Sequence, residues 1–234
     1  VKKHPVKMSN VYGSETYDAS LEQPGWDREA FDDSDWESAS VVPEAEAPAG
    51  ELVEQFQPAV KVIRSYPAKY LYSVCDRDIY DLGQNVSGML KLWYRGKKGD
   101  VIRIYPAEKL DKERNVDQVA KKWVTVGNCI TCIVGEDDTW QEYRMRFTYF
   151  AGRYFAVERS SDAAEIRDMT GEAISSAWKT DGTFQCDDSR YVQIYDLVEK
   201  AVEANMVSVH TDCPTIERFA WQEPNHLMAP SIMY

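Results

Sequence analysis

The feature that most constrains this chain is an alternation of apolar and polar residues that recurs from about residue 66 to 175. Lys69-Tyr70-Leu71-Tyr72-Ser73-Val74, Asp78-Ile79-Tyr80-Asp81-Leu82, Met89-Leu90-Lys91-Leu92-Trp93-Tyr94-Arg95 and Val101-Ile102-Arg103-Ile104-Tyr105 all carry it, wholly or nearly. Successive side chains of a strand point to opposite faces, so a period of two means a ribbon with one face buried. Gly83 and Asn85 read as a turn between two of these runs, and Gly96-Lys97-Lys98-Gly99-Asp100 as a hairpin-type connection. The run Phe147–Val157 is interrupted by Gly152, which suggests a bulge or a close approach of backbone. Many short strands at this spacing predict a mainly β fold, an antiparallel β-sandwich.

The flanks differ. Residues 8–64 are rich in turns, acids and Trp. Gly25-Trp26, Phe31–Trp36 and Val41-Val42-Pro43 read as short strands joined by tight loops. Asp32, Asp33 and Ser34 can close turns through their side-chain oxygens, with Phe31 and Trp36 burying on either side. The segment 43–50 is a loop, and Val60–Arg64 alternates like another strand. Beyond Gly182 the period changes. Asp187, Asp188 and Ser189 are candidate N-caps, and Tyr191, Ile194, Tyr195, Val198, Ala201, Val202 and Asn205 follow helical spacing. Met206–Val209 is short and extended. Leu227–Tyr234 could start a second helix, limited by Pro230.

Composition excludes several function classes. A formal charge of −12 over 234 residues argues against a nucleic-acid partner, which needs a basic surface. Ten acids and one base between Asp27 and Glu54 give −9 locally, which reads as a solvated acidic face. No run approaches the roughly 18 apolar residues of a membrane span. Val1-Lys2-Lys3-His4-Pro5 shows no apolar stretch of a secretion signal, which assigns the protein to no compartment.

Five cysteines at irregular spacing do not suggest a disulfide framework. Cys129 and Cys132 form a CxxC, but they lie in Val124–Val134, a β-branched run. Three residues apart on a strand, their thiols face opposite ways. No second pair completes a zinc site. No metal or other cofactor is expected.

The chemistry concentrates near the end, in Asp212-Cys213-Pro214-Thr215-Ile216-Glu217-Arg218-Phe219-Ala220-Trp221-Gln222-Glu223. Cleaving a glycosidic bond needs a protonated carboxyl beside the departing oxygen and a second carboxylate acting on the opposite face of the sugar. An aromatic wall that excludes water helps keep the first one protonated. Glu217, close to Trp221 and preceded by a stiff Cys-Pro turn, is the candidate acid. Asp212 is suited to accepting sugar hydroxyls, and Arg218 could neutralise a neighbouring carboxylate. The plainer alternative is an ordinary loop, with Asp212 as a cap, Glu217 and Arg218 as surface charges and Trp221 as core. His210 and His226 flank the cluster and read as packed or hydrogen-bonded residues.

Asp212-Cys213-Pro214-Thr215-x-Glu217-x-x-x-Trp221 followed by His226-Leu227-Met228-Ala229-Pro230 resembles the active-site entry of the bacterial α-L-rhamnosidases, glycoside hydrolase family 78. The resemblance extends over nearly the whole chain. Pro24-Gly25-Trp26 with Phe31-Asp32-Asp33-Ser34-x-Trp36 is similar to that family's N-terminal jelly-roll domain. Asp81-x-Gly83-Gln84-Asn85-x-Ser87-Gly88, Arg95-Gly96-x-x-Gly99-Asp100 and Phe147-Thr148-Tyr149-x-x-x-Arg153-Tyr154 are similar to its concanavalin-like sandwich. Phe184-x-Cys186 and the helix to Asn205 resemble the opening of its six-hairpin (α/α) barrel. Ile216 and Arg218-Phe219-Ala220 depart from the family's usual basic residue and Lys-Leu-Gly. The resemblance implies part of a jelly roll over 1–65, a sandwich over 66–178 and the start of the barrel over 179–234. It implies an inverting hydrolase of terminal α-L-rhamnosides, with Glu217 as general acid and Asp212, Trp221 and Glu223 around the sugar. The family's general base comes from later in the barrel. The expectation is therefore a rhamnosidase fragment, inactive alone, whose exposed helix 189–205 could self-associate. A non-catalytic carbohydrate-binding or scaffold module is the alternative.

Overall fold

The computed structural model of the chain describes residues 4–118, 128–180 and 182–233. The fold is mainly β, as the alternation predicts. Ten strands form one curled sheet: β1 (Val6–Asn10), β2 (Ser14–Asp18), β3 (Lys61–Pro67), β4 (Lys69–Val74), β5 (Arg77–Arg95), β6 (Val101–Ala107), β7 (Ile130–Ile133), β8 (Gln141–Arg144), β9 (Phe150–Arg159) and β10 (Glu165–Ser175). Their order is β1-β2-β7-β6-β9-β5-β10-β3, with β4 and β8 also paired to β5. The pairings are antiparallel except β2 with β7, which is parallel.

The long strand β5 turns this sheet into two layers. Its first part, Asp78–Asp81, lies between β4 and β9, and its last part, Lys91–Tyr94, between β8 and β10. A strand passes from one layer to another through a bend. Here the bend falls where the β5–β9 register shifts between Asp81 and Val86. Gly83 sits there at φ +78°, its N–H donating to Asp81 Oδ1 at 2.6 Å. The turn expected at Gly83 and Asn85 is thus a bulge inside one 19-residue strand. Glycine accepts the left-handed backbone at no steric cost, so the chain kinks without leaving the ladder.

Alternate residues of β5 to β9 fill the core: Leu90, Leu92, Tyr94, Ile102, Ile104, Ile130, Cys132, Tyr143, Phe150 and Phe155 are fully buried. Cys132 faces inward and Cys129 lies on the other, half-exposed side, as strand geometry demands. The preceding Val124–Gly127 lies outside the described residues. Gly96–Asp100 does form a tight turn, with Asp100 N–H bonded to Lys97 O at 2.8 Å. It does not make a hairpin, because β6 pairs with β7 and β9 and not with β5.

The short strands expected between Gly25 and Pro43 are not formed. Bends and turns occupy this stretch, as in Ser34 N–H to Asp32 Oδ1 at 3.1 Å and Trp36 N–H to Asp33 O at 2.8 Å. Short acidic side chains capture their own backbone and so compete with a ladder. Phe31 and Trp36 do not bury on opposite sides. They pack on each other at 5.4 Å, with Trp36 largely exposed.

Helix α1 (Ser189–Asn205) starts at Asp188, whose Oδ1 accepts from Arg190 N–H at 3.0 Å. It lies against β10 and β5. Arg64 of β3 grips Glu203 through two bonds of 2.6 and 2.9 Å, and Ser87 donates to Ala204 O at 2.5 Å. Tyr191, Ile194, Leu197 and Val198 stay exposed. A two-residue hairpin, β11 (Met206–Val207) and β12 (Val209–His210), follows. Helix α2 (Gln222–Ile232) begins earlier than Leu227 and runs through Pro230. Pro224 falls in its first turn, where no N–H is required. Among the described residues no helix is long and apolar enough to cross a membrane.

Candidate active site

The loop between β12 and α2 is closed on itself. Asp212 N–H donates to Phe219 O and Phe219 N–H to Asp212 Oδ1, both at 2.9 Å. Within this ring Pro214–Glu217 forms a turn, and Cys213 Sγ accepts from Glu217 N–H at 3.2 Å. The loop is tied to the end of α1 by Thr211, whose N–H reaches Asn205 O at 2.9 Å. Asp212 therefore acts first as a clasp: one oxygen holds the loop shut and the other takes no bond from the described residues.

Glu217 lies at the tip and is exposed. Its Oε2 accepts from Trp221 Nε1 at 3.0 Å. The dry, Trp-walled recess expected around Glu217 is not formed by these residues: Trp221 is 53% exposed and meets the carboxylate with its N–H edge, not its face. Nor is Trp221 core, as the plainer reading had it. Glu223 is exposed in the first turn of α2, where a negative charge suits the helix terminus. The loop brings Glu217 and Trp221 into direct contact; Asp212 sits at its base and Glu223 two residues beyond the indole.

Arg218 differs most from expectation. It pairs with no carboxylate among the described residues. Its side chain turns inward and is only 8% exposed. Nε donates to Pro214 O at 2.8 Å, and Nη1 donates to Tyr149 O at 3.0 Å and also to Val11 O. The guanidinium lies 4.1 Å over the Tyr149 ring. Burial pushes its pKa down from the arginine range, although arginine remains charged at any ordinary pH. Its backbone is left-handed, φ +57°, which costs on the order of 1 kcal/mol for a residue with a Cβ. Val11 and Tyr149 are distant in sequence, so no local pattern could have pointed to them. Aromatic rings continue the link: Tyr12 meets Phe219 edge-on at 6.0 Å, and Phe219 meets Trp221 at 5.5 Å. His210 is hydrogen-bonded, its Nδ1 3.2 Å from Asn225 Oδ1.

Three family models together match most of the chain: the α-L-rhamnosidase N-terminal domain over residues 1–64, the bacterial α-L-rhamnosidase concanavalin-like domain over 75–175, and the bacterial α-L-rhamnosidase six-hairpin glycosidase domain over 179–234. This chain belongs to the bacterial α-L-rhamnosidases. Two α-L-rhamnosidases of Formosa agariphila are 24% and 26% identical to it, each over 98% of the chain. An α-L-rhamnosidase of Streptomyces avermitilis is 25% identical over 98%. Among solved structures, the α-L-rhamnosidase from Dictyoglumus thermophilum superposes with a TM-score of 0.87 over 98% of the chain, at 27% identity. The Streptomyces avermitilis enzyme, solved with L-rhamnose, gives 0.82 at 24% identity and shows the same fold. The chain spans about a quarter of the length of these rhamnosidases, 22–26%.

Proposed function

We propose that this chain is part of a longer inverting α-L-rhamnosidase that hydrolyses terminal α-L-rhamnosides. Glu217 is its general acid, and Asp212, Trp221 and Glu223 border the sugar. The observation that carries this reading is the 3.0 Å contact between the Trp221 indole N–H and Glu217 Oε2 at the tip of a clasped loop. In the reaction the Glu217 carboxyl gives its proton to the departing glycosidic oxygen as the bond to the anomeric carbon breaks. Water attacks from the opposite face, and its proton passes to a second carboxylate roughly 6.5–9.5 Å from the acid. That base role falls to a carboxylate elsewhere in the longer polypeptide. A site with one of the two groups lacks the means to activate water, so the 234-residue chain alone is inactive. Turnover of an aryl α-L-rhamnoside by the isolated chain would overturn that part. In the longer polypeptide, Glu217→Gln should abolish turnover of an alkyl rhamnoside and leave rhamnose binding intact.

The exposure of Glu217 and Trp221 favours one alternative, a carbohydrate-binding surface without catalysis. In that case Glu217→Gln in the longer polypeptide leaves turnover unchanged. The exposed Tyr191, Ile194, Leu197 and Val198 face of α1 also bears on partners. In the isolated chain it is a surface for self-association, and sedimentation of a strict monomer at high concentration would argue against this.

A further inference from the structure

We infer that Arg218 is a positioning residue for the acid at 217, and that through it the first hairpin of the chain, β1–β2, becomes a support of the catalytic loop. The inference rests on the reading of Glu217 as general acid. Three observations point to it. First, Arg218 is buried next to the exposed Glu217, so the backbone between them must turn one side chain in and the other out. The left-handed conformation at Arg218, φ +57°, makes that reversal. Such a conformation on a residue with a Cβ persists only where the surroundings over-determine it. Second, the surroundings here are three backbone carbonyls from three places: Pro214 in the loop itself, Tyr149 ahead of β9, and Val11 in the β1–β2 turn. A guanidinium fork can span three such acceptors, whereas an ammonium on a flexible stem cannot hold the same geometry. Third, the hairpin turn touches the loop a second time, through the Tyr12 ring against Phe219 at 6.0 Å. The turn is itself held, because Asn10 Oδ1 accepts from both Tyr12 N–H at 2.8 Å and Gly13 N–H at 3.1 Å.

A buried cation held by carbonyls and a ring adds little to stability that a neutral core would not. Its use lies in fixing where the loop sits. Small displacements of a catalytic group cost large factors in rate, so a loop that carries the acid gains from being pinned at its base. The Nη2 amino group of Arg218 finds no acceptor among the described residues, which leaves the pin room for a further bond.

The test uses the longer polypeptide and compares two substrates, a dinitrophenyl and a methyl α-L-rhamnoside. The first leaves without protonation; the second needs the acid. Arg218→Met should lower kcat/KM on the methyl glycoside by roughly 100-fold, the worth of a general acid, and on the dinitrophenyl glycoside by only a few-fold. R218K should fall between wild type and R218M. Tyr12→Ala should show the same selectivity at smaller size. Should R218M fail to fold, R218K and Tyr12→Ala decide by the same ratio. Equal losses on both substrates in these variants mean a general structural role and overturn the inference, as does wild-type behaviour. Glu217→Gln runs in parallel. If it is selective and the Arg218 variants are not, this inference alone fails. If it is not selective, the assignment of the acid fails first.

Discussion

Trp221 donates its indole N–H to Glu217 Oε2 across 3.0 Å, four residues along the chain and just before the first turn of α2. The contact joins the end of one element to the tip of a loop, so the orientation of the carboxyl depends on where α2 begins. Trp221→Phe keeps an aromatic ring and removes the donor. A charge-assisted hydrogen bond at an exposed site is worth about 1.4 kcal/mol or less, so kcat of the longer polypeptide on an alkyl rhamnoside should fall up to about tenfold. Rates within error of wild type would show that the bond does not orient Glu217, the proposed acid.

Stability should depend strongly on Glu15, a carboxylate with no solvent exposure on β2. Its oxygens accept from Tyr143 OH at 2.9 Å and from the backbone N–H groups of Phe147 and Arg146 at 3.1 and 3.3 Å. The pairing ties the first hairpin to the segment after β8. Glu15→Ala would leave a buried hydroxyl and two N–H groups without a partner, at roughly 3 kcal/mol or more. Tyr143→Phe removes one donor and should cost about 1 kcal/mol. Urea titration of the chain measures both. A Glu15→Ala loss no larger than that of Tyr143→Phe would contradict the account.

Much of this fold was legible in the residues. β3, β4, β6, β10's neighbours in the core and helix α1 all follow from periodicity, and Asp188 was among the expected caps. Pairing was less legible. Nothing local distinguishes a Gly83 that ends a strand from one that bends it, because glycine permits both and the neighbouring strands decide. The site divides the same way. Asp212, Glu217 and Trp221 stand out by type and spacing, and two of them do touch. Arg218 reads as a surface charge because two of its three acceptors lie 69 and 207 residues away.

The bend in β5 also carries a pH-dependent bond. Arg153 grips Asp81 through 2.7 and 2.8 Å contacts, which holds the carboxyl below the usual carboxylate range, with help from the Gly83 N–H and against partial desolvation. A carboxyl whose folded pKa is depressed contributes stability above its unfolded pKa, about 3.9, and loses it as pH falls through the folded value. Because Arg153 is 39% exposed, solvent screening keeps this to about 1 kcal/mol at most. Asp81→Asn should therefore flatten the stability curve below about pH 4 and lower the plateau at neutral pH slightly. An unchanged acid slope in Asp81→Asn would place the pH sensitivity in other carboxylates.

The five thiols provide an independent check on the layering. Cys75 and Cys186 are exposed, Cys129 and Cys213 half-buried and Cys132 fully buried. Burial pushes the Cys132 thiol well above its ordinary range and raises Cys129 as well, so neither offers much thiolate to a disulfide reagent. Cys213 is half-buried within the clasped loop, which limits access to its sulfur. Titration of the native chain with an aromatic disulfide should show Cys75 and Cys186 reacting first, Cys213 more slowly, and Cys132 only with unfolding. Rapid labelling of Cys132 in the native state, located by peptide mass, would mean that β7 does not sit between β2 and β6. The buried core built on Ile102, Ile104 and Ile130 would then have to be rebuilt around a different strand order.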